Sequence, residues 1–387
     1  MFKQNLTLFA SSTFAAIAFA GCSQTSPKTV EAADLTTETT ATPRPTPTNQ
    51  EPITITAVGD VMLGSTFPNE SRMPPNDGKD LLKGVTPFIS SADIGFGNLE
   101  GPMLEGGVSE KCGASSSNCF AFRVPVRYGQ YLKDAGFDVM SVANNHAGDF
   151  GENGRTSTRK ILDDLGIKHA GGDRNKFATT MLEVRGKKVV FIGFAHNNIS
   201  LNVNELDAAR GAVKAARKNA DILVVSFHGG AEGTDAQNVP YKNEVFFGQS
   251  RGNLREFTHT VIDAGADLVL GHGPHVWRGM EIYKDRLIAY SMGNFATYGW
   301  FGLKGATSTT GLLQVQIGSD GKFLGGKIIA AEQLGRGGPT LDKANKTVSI
   351  VRNLSNTDFG ANAVTIKDDG TLSLPTVISS RQRVVSR

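Results

Sequence analysis

The chain has 387 residues, of which 39% are hydrophobic and 20% charged, a composition typical of globular proteins. Its formal net charge of +3 is small, and the sequence contains neither a basic run nor a cluster of aromatic residues. The charge is therefore too small to argue for a nucleic-acid-binding surface, and the length leaves ample material for a large folded domain.

The first 21 residues have the features of a secretory signal peptide. One positive residue, Lys3, precedes an apolar stretch that is too short and too interrupted to span a membrane. The sequence FAGC at 19–22 resembles the lipobox of bacterial lipoproteins, which predicts cleavage before Cys22 and lipidation of that cysteine. The alternative is an ordinary signal peptide followed by an unmodified cysteine. With a lipid on Cys22, the chain is expected to be exported and anchored to a membrane of the bacterial cell envelope.

Residues 22–52 are rich in Thr, Pro and Ser, and include TPRPTPT at 42–48. Such a segment cannot bury enough apolar surface to fold, so it predicts a disordered tether. We expect one folded domain over 53–335, followed by C-terminal strands and a tail over 336–387.

From residue 53 onwards, short apolar stretches alternate with helical stretches. This alternation predicts βαβ units and an α/β fold with a largely parallel or mixed sheet, covered by helices on both faces. Strands are predicted at 53–60, 91–100, 136–146, 187–196, 219–232, 265–275 and 287–295. Helices are predicted at 85–90, 126–135, 203–218 and 252–264.

The C-terminal part has a different pattern. Residues 311–334 alternate apolar and polar positions around Ser319, Asp320 and Gly321, which predicts a β-hairpin. Residues 335–387 are expected to form loops and short strands without catalytic groups.

Two cysteines besides Cys22 lie seven positions apart in a Gly- and Ser-rich segment, at Cys112 and Cys119. In an oxidising compartment this spacing favours a disulfide that closes a small loop. Two free thiols or a soft-metal site are the alternatives, although two cysteines are too few for a structural zinc site.

Polar side chains with metal-binding chemistry follow the predicted strands. In open α/β sheets such groups meet beyond the carboxyl ends of the strands, so we expect them to converge at one edge. Carboxylate, imidazole and amide groups together suit a divalent ion such as Mn, Fe, Zn or Ni. The residues concerned are Asp60, Asn98, Glu100, Asn145, His146, His228, Glu232, His272, His275 and Asn294.

Six short motifs in a fixed order carry a family resemblance. They are GD (59–60), GNLEGP (97–102), NNHAGDFGENG (144–154), HGGAE (228–232), GHGPH (271–275) and YSMGNF (290–295). This set resembles the bacterial capsule synthesis family of the CapA (poly-γ-glutamate) type, over about residues 53–300. That family is similar to the calcineurin-like metallophosphoesterases. The resemblance implies a four-layer sandwich in which two mixed β-sheets are flanked by helices.

The resemblance also implies roles for individual residues. Asp60 and His275 would bind a first metal ion, and Glu100, or alternatively Asn98, would bridge two ions. His146 would be the catalytic histidine that protonates a leaving group. Ligands of the second ion would be Asn145, His228 and His272.

The sequence departs from the phosphoesterase pattern at several places. The histidine expected two residues after Asp60 is Met62, Glu100 does not have the usual spacing of the bridging aspartate, and the final histidine pair is one residue longer. The first metal site therefore has one fewer strong ligand, and the chain is expected to bind one or two ions, with Mn, Fe or Zn preferred.

Other residues near the motifs have less direct roles. Glu232, Asn294 and Asn98 are candidates to orient the ligands. Asp149 is interpreted as shaping the loop after His146. We interpret three further histidines as structural: His169, His196 and His259.

Each strand-end residue has a structural alternative. An Asp or Asn at the end of a strand is often a turn former or a helix cap, and a lone buried histidine is often a core residue with a hydrogen-bond partner. The metal interpretation rests on the ordered recurrence of such residues along the chain.

Three functions follow from these observations. The first is a metal-dependent hydrolase at the cell surface that acts on a phosphoester or on the γ-glutamyl amide of an anionic polymer. The second is a non-catalytic accessory that binds, anchors or exports a capsular polymer, in contact with export machinery. The third is an unrelated surface-binding lipoprotein without a metal.

Overall fold

The computed structural model describes residues 51–112, 119–299 and 302–375 of the chain. The predicted signal peptide, Cys22 and nearly all of the tether lie outside these residues. The described helices are α1 (Thr86–Ser90), α2 (Tyr128–Asp134), α3 (Gly151–Asp164), α4 (Leu206–Arg217), α5 (Leu254–Asp263) and α6 (Lys346–Phe359).

The described strands divide into two large sheets and one hairpin. The strands of the first half of the chain are β1 (Ile53–Met62), β2 (Ile94–Leu99), β3 (Val139–Ser141), β4 (Lys168–Ala170), β5 (Thr179–Val184), β6 (Lys187–Ala195) and β7 (Leu201–Asn202). The remaining strands are β8 (Ile222–His228), β9 (Glu244–Phe246), β10 (Gln249–Gly252), β11 (Leu268–His272), β12 (Met280–Tyr283), β13 (Arg286–Ala289), β14 (Asn294–Thr297), β15 (Thr309–Ile317), β16 (Phe323–Gln333), β17 (Pro339–Leu341), β18 (Thr365–Ile366) and β19 (Thr371–Ser373).

Strand β1 is central to the first sheet, whose order is β18-β19-β16-β15-β1-β2-β3-β4. In addition, β14 pairs with β1, and β17 pairs with β16. β1 runs parallel to β2 and β14 and antiparallel to β15, so the sheet is mixed. The second sheet has the order β12-β13-β11-β8-β6-β5, and its strands β6, β8, β11 and β13 are parallel neighbours. The parallel strands of both sheets bring their carboxyl ends to one edge.

The two sheets pack face to face, and helices cover their outer faces. Phe96 of β2 stacks on Phe191 of β6 with ring centroids 5.3 Å apart, in a core formed by both sheets. Leu132 of α2 belongs to the core on the outer face of the first sheet, and Phe257 of α5 to that of the second. The prediction of a four-layer sandwich with two mixed sheets flanked by helices is confirmed.

A β-bulge in β1 sets the direction of Asp60. Ile55 and Ala57 point into the core between the sheets, but one extra residue of β1 lies between the Ala57 and Asp60 pairings with β2. Because side chains alternate along a strand, this insertion reverses the alternation, and Val61 packs in the outer core. Asp60 therefore faces the second sheet.

Two described helices were not predicted from the sequence. Helix α3 contains few apolar residues and buries Gly151, Gly154 and Thr158, so it lacks the usual apolar periodicity. The expectation of only loops and short strands over 335–387 is wrong at α6, whose β-branched Val348 and Val351 pack in the core between the sheets.

Two further features concern the envelope interpretation. Cys112 and Cys119 form a disulfide. Within the ranges that the structure describes, no helix combines the length and the apolar character needed to cross a membrane.

Candidate metal centre

Three side chains at the carboxyl edge of the strands bring possible ligand atoms within 4.8 Å of one another: Asp60, Glu100 and His275. Asp60 lies near the end of β1, Glu100 directly follows β2, and His275 lies in the turn after β11. All three are buried. The Oδ2 atom of Asp60 is 2.9 Å from Nδ1 of His275. The cluster thus joins residues of both sheets.

Glu100 is surrounded by imidazole nitrogens. Its Oε1 atom lies 3.7 Å from Nε2 of His275, 3.8 Å from Nε2 of His228 and 3.8 Å from Nε2 of His146. These separations are longer than hydrogen bonds. Two ligands that each lie about 2.1 Å from a tetrahedral ion would be about 3.4 Å apart, which is close to the observed spacing.

The donor set fits a divalent cation because several buried ligand atoms have no hydrogen-bond partner. Neither carboxylate oxygen of Glu100 has a hydrogen-bond partner. The same holds for Nε2 of His228, Nδ1 of His272 and Oδ1 of Asn145. A buried carboxylate without partners is costly, by several kcal/mol, unless a cation or donors compensate its charge. These atoms share one region of the fold, and their oxygen and imidazole chemistry suits Mn, Fe or Zn.

The other two predicted ligands, His272 and Asn145, have different surroundings. His272 pairs in register with His228 across β11 and β8, and its Nε2 atom is 3.1 Å from the Val58 carbonyl oxygen. That contact assigns the proton of His272 to Nε2 and leaves Nδ1 as the ligand atom. Asn145 is partly exposed and lines the cavity described below.

The three predicted orienting residues do contact the cluster or its neighbours. Asn98 donates a hydrogen bond of 2.8 Å from Nδ2 to Oδ1 of Asp60 and thereby holds that carboxylate. Glu232 has its Oε2 atom 3.8 Å from Nε2 of His275. Asn294 pairs with Asp60 in register and keeps a buried Oδ1 atom without a partner.

The turn GHGPH needs unusual backbone conformations. His275 has a φ of 58°, in the left-handed region that residues other than glycine seldom adopt. Gly273 has a φ of 116°, and a Cβ atom there would lie 2.7 Å from the Gly229 carbonyl oxygen. Backbone strain of this kind concentrates at functional sites, which agrees with His275 being held in place to meet Asp60 and Glu100.

A second cluster lies beside Glu100, formed by His146, Asp149 and Lys111. Nδ1 of His146 is 2.7 Å from Oδ2 of Asp149, and Nζ of Lys111 is 3.2 Å from Oδ1 of the same carboxylate. The ring of Phe122 stacks on His146 with centroids 4.0 Å apart. The short contact to a buried carboxylate places the imidazole proton on Nδ1, so Nε2 faces Glu100.

The protonation of the metal centre follows from burial and from neighbouring charges. Burial raises the pKa of Glu100 well above its ordinary value, although the facing His275 opposes this shift. Burial disfavours the imidazolium of His275, but Glu100 and Asp60 outweigh it and raise its pKa to about 10. The Glu100–His275 pair therefore retains a proton at neutral pH in the metal-free protein.

The other histidines of the site are neutral. Burial lowers the pKa of His228 well below its usual value, and it also lowers the pKa values of His272 and His146. Neutral imidazole is the form that binds a metal ion. His228, His272 and His146 are thus ready to coordinate or to accept a proton at pH 7.

Four residues of the site have roles that the sequence analysis did not assign. Asp149 contacts His146 directly, and Lys111 contacts Asp149. Arg251 forms an ion pair of 2.7 Å with Glu232. His196, interpreted as structural, lines the cavity, and burial, followed by the charge of Arg251, lowers its pKa to about 4. The His-x-x-Asp spacing at 146–149 was the signal that could have identified Asp149.

The two remaining described histidines, His169 and His259, contact carboxylates that do not belong to the cluster. His169 lies 3.3 Å from Asp163, and burial lowers its pKa. His259 pairs with Glu281 at 3.0 Å and stacks on Tyr283.

The metal centre opens into a cavity of about 1520 Å³. His146, His275, Glu232 and Asn294 line it together with Arg251. The cluster therefore lies next to a cavity that is open to solvent.

The chain matches the family model described as "Bacterial capsule synthesis protein PGA_cap" over residues 54–298, and it belongs to this family. It is 28% identical to the capsule biosynthesis protein CapA of Bacillus anthracis, over 70% of this chain and 65% of that protein. It is 26% identical to the PGA biosynthesis protein CapA of Bacillus subtilis (strain 168), over 67% of each chain.

A further relative is a probable polyglutamine synthesis accessory protein of Mycobacterium tuberculosis (strain ATCC 25618 / H37Rv), which is 27% identical over 64% of this chain and 74% of that protein. The chain thus spans about two thirds of the length of the Bacillus proteins. Among solved structures, a putative 5'-nucleotidase from Staphylococcus aureus is similar at 15% identity with a TM-score of 0.41, over 79% of this chain and 58% of that one.

Proposed function

We propose that this member of the PGA_cap family is a metal-dependent hydrolase that cleaves a bond in a capsular polymer or its precursor. One observation carries the proposal. The buried carboxylate of Glu100 has no hydrogen-bond partner and is surrounded by the imidazole nitrogens of His146, His228 and His275. Two of these histidines, His146 and His275, line an open cavity. Such an arrangement is costly without a cation and is suited to hold one.

The protein residues would divide the work as follows. Asp60, Glu100 and His275 would hold the first ion, and His228, His272 and Asn145 would complete a second set of ligands around Glu100. A divalent ion bound there activates water and neutralises charge that develops on a phosphoryl or carbonyl oxygen. Asn98 would keep the Asp60 carboxylate in one orientation through its hydrogen bond.

His146 is the proposed proton-transfer residue. Its Nδ1–H donates to Asp149, so Nε2 is the atom that exchanges a proton with the substrate. A proton on Nε2 would be delivered to the leaving group, and the Asp149 carboxylate would stabilise the imidazolium that carries it. The stacked Phe122 ring holds the imidazole plane in position.

The substrate bond is a phosphoester or a γ-glutamyl amide. The names of the Bacillus relatives support a capsular polymer, since they are a capsule biosynthesis protein and a PGA biosynthesis protein. We further propose that the chain is exported, cleaved before Cys22 and lipidated there, so that residues 22–52 tether the domain to the cell envelope. In that position it would meet the polymer and the capsule export machinery.

A non-catalytic accessory role is the second candidate, and Met62 is the observation that favours it. Met62 stands where the phosphoesterase pattern has a histidine, so the first ion has one fewer strong ligand. The mycobacterial relative is also named as an accessory protein. In this role the metal would organise a polymer-binding surface without cleavage.

The metal content of the purified full-length chain tests both proposals, because the hydrolase and the accessory role each require a bound metal ion. We expect at least one divalent ion per chain, lost in Asp60→Ala and kept in His146→Gln. The matched control is His259→Gln, which changes a histidine outside the site. Hydrolysis of bis(p-nitrophenyl) phosphate or poly-γ-glutamate should disappear in both site variants and persist in the control.

Three outcomes are distinguished. Metal with hydrolysis supports the enzyme. Metal without hydrolysis of either substrate supports the accessory role. A folded chain that binds no ion contradicts both.

A further inference from the structure

One end of the cavity is lined by a group of uncharged residues that the proposed chemistry does not use. We call this part the outer cleft, and it consists of Asn198, Ile199, Asn202, Asn204, Phe246, Phe247, Gln249 and Ser250. One wall is the segment after β6, and the other is the β9–β10 hairpin. We infer that the outer cleft binds a neutral, hydroxylated sugar unit of the polymer, adjacent to the bond that the metal centre attacks.

The hairpin presents aromatic surface at its tip. Phe247 is 85% exposed, and its ring centroid lies 4.4 Å from that of Phe246. Phe247 and Gly248 form the two-residue turn, both with positive φ (46° and 73°). Such turns favour Asn-Gly, and a bulky aromatic residue at positive φ is an outlier. The strained backbone and the exposed ring together point to a ligand at this position.

A connected series of hydrogen bonds joins the hairpin to the opposite wall of the outer cleft. Ser250 donates from Oγ to Oδ1 of Asn204 (2.6 Å), Asn204 donates to Oδ1 of Asn202 (3.0 Å), and Asn202 donates to Oδ1 of Asn198 (3.1 Å). These bonds fix the orientation of each amide before a ligand arrives. The exposed amide of Asn198 and the side chain of Gln249 remain to contact a ligand as donors and acceptors.

This combination matches a sugar better than a polyanion. A hydroxyl group both donates and accepts, as an amide does, and the C–H face of a sugar ring packs against an aromatic ring. A chain of γ-linked glutamates carries one carboxylate per unit and needs cations along its path. The two cations that line the cavity in its described part, Lys111 and Arg251, already lie 3.2 Å and 2.7 Å from carboxylates.

The outer cleft is continuous with the metal centre. Arg251 lies over the Phe246 ring at 5.3 Å and pairs with Glu232, whose other oxygen is 3.8 Å from His275. Phe247 is four residues before Arg251, which is about 13 Å along an extended strand. A polymer chain that lies on the hairpin would therefore extend toward Arg251 and Glu232, next to the cluster.

The inference rests on the proposed function, because it narrows the substrate of the same cavity to a polymer with sugar units and sets aside a chain of γ-linked glutamates, and binding is therefore measured without metal. The EDTA-treated full-length chain is titrated by calorimetry with maltohexaose, cellohexaose, chitohexaose and hexa-γ-glutamate. We expect at least one neutral oligosaccharide to bind at least tenfold more tightly than hexa-γ-glutamate. Phe247→Ala should weaken that binding at least fivefold, while Leu334→Ala, which removes an exposed side chain outside the cavity, should not.

A second variant reverses the charge preference. Asn198→Lys should weaken oligosaccharide binding and strengthen binding of hexa-γ-glutamate. The inference is overturned if the oligosaccharides do not bind, if Phe247→Ala has no effect, or if hexa-γ-glutamate binds more tightly than every oligosaccharide. Sugar binding by a chain that never hydrolyses a substrate would leave this inference standing and remove only the proposed hydrolase. Hydrolysis by a chain that binds none of the oligosaccharides would support the proposed hydrolase and overturn this inference.

Discussion

Nδ1 of His146 lies 2.7 Å from Oδ2 of Asp149, and this buried pair determines which nitrogen of the imidazole faces Glu100. The same carboxylate accepts a hydrogen bond of 2.8 Å from the backbone amide of Phe122. Asp149 is thus held by the backbone on one side and holds the imidazole on the other. The pairing gives His146 a fixed tautomer, which a proton-transfer residue needs.

Asp149→Asn is expected to reduce kcat by about 100- to 10,000-fold while leaving the metal content unchanged. The amide can donate to Nδ1 and would stabilise the tautomer that carries its proton on Nε2. Steady-state rates across a pH series, with metal analysis of the same samples, measure the effect. Asp163→Asn, which changes the partner of His169, is the matched control. Loss of the metal along with the activity would show that Asp149 supports the ligands instead of the proton transfer.

Glu100→Gln is expected to weaken metal binding without lowering the stability of the metal-free protein. In the metal-free protein the variant should unfold at the same temperature as the wild type or higher, because it removes a buried carboxyl whose oxygens have no partners. At a metal concentration about 100-fold above Kd, the wild type should gain about 2.7 kcal/mol of unfolding free energy. Thermal unfolding with Mn²⁺, Zn²⁺ or EDTA tests this. An equal gain in the variant would exclude Glu100 as a ligand.

Metal affinity is expected to rise with pH between about pH 6 and 9, below the His275 pKa of about 10. The raised pKa values of Glu100 and His275 mean that the pair holds a proton in the metal-free protein. Binding must release that proton, so a lower proton concentration favours the bound state. Calorimetry at one pH in two buffers of different ionisation enthalpy counts the protons released. A pH-independent affinity with no proton release would contradict the assignment of these two residues as ligands.

Met62→His is expected to increase the number of tightly bound ions per chain. Met62 is buried two residues after Asp60 on β1, so both side chains leave the same face of the strand. An imidazole there adds a ligand next to the first ion. Metal stoichiometry is measured by mass spectrometry after dialysis, with Met62→Leu as the control for packing. Equal stoichiometry in all three proteins would mean that the methionine does not limit the first site.

Removal of the Cys112–Cys119 disulfide is expected to lower the unfolding free energy by about 2–3 kcal/mol, as the chain-entropy model gives for a short loop. Lys111 precedes Cys112 and lies 3.2 Å from Asp149, so the double serine variant should also lose activity. Urea unfolding and kinetic measurements report the two effects separately. A variant that is less stable but fully active would show that the disulfide does not position Lys111.

Part of the site could be predicted from the sequence because strand ends converge in this class of fold. Asp60, Glu100 and His275 each follow a short apolar run, and the structure brings them together. Pairing of Asp149 with His146 was missed because an Asp in a Gly-rich loop is typical of a turn. The bulge that turns Asp60 toward the second sheet has no local signal, since it depends on how β1 pairs with β2.

The missed helices have a similar explanation. Helix α3 is covered by the loops before it and buries glycines, so its sequence has little apolar periodicity. For α3, contacts from the preceding loops override local preference. The β9–β10 hairpin was also not predicted. Its turn has Phe247 at a position that favours Asn, so the sequence lacks the usual pattern of a hairpin turn.

Asp60 and His275, which share a hydrogen bond, are separated by 215 positions in the sequence. A ribosome or a translocation channel delivers the first of them long before the second, so the ion cannot be captured while the chain is incomplete. The ligands meet only when β11 has joined the second sheet and the two sheets have closed. A metal ion held by these residues would therefore be acquired in the compartment in which folding finishes, and the metal supply there would decide which ion is bound.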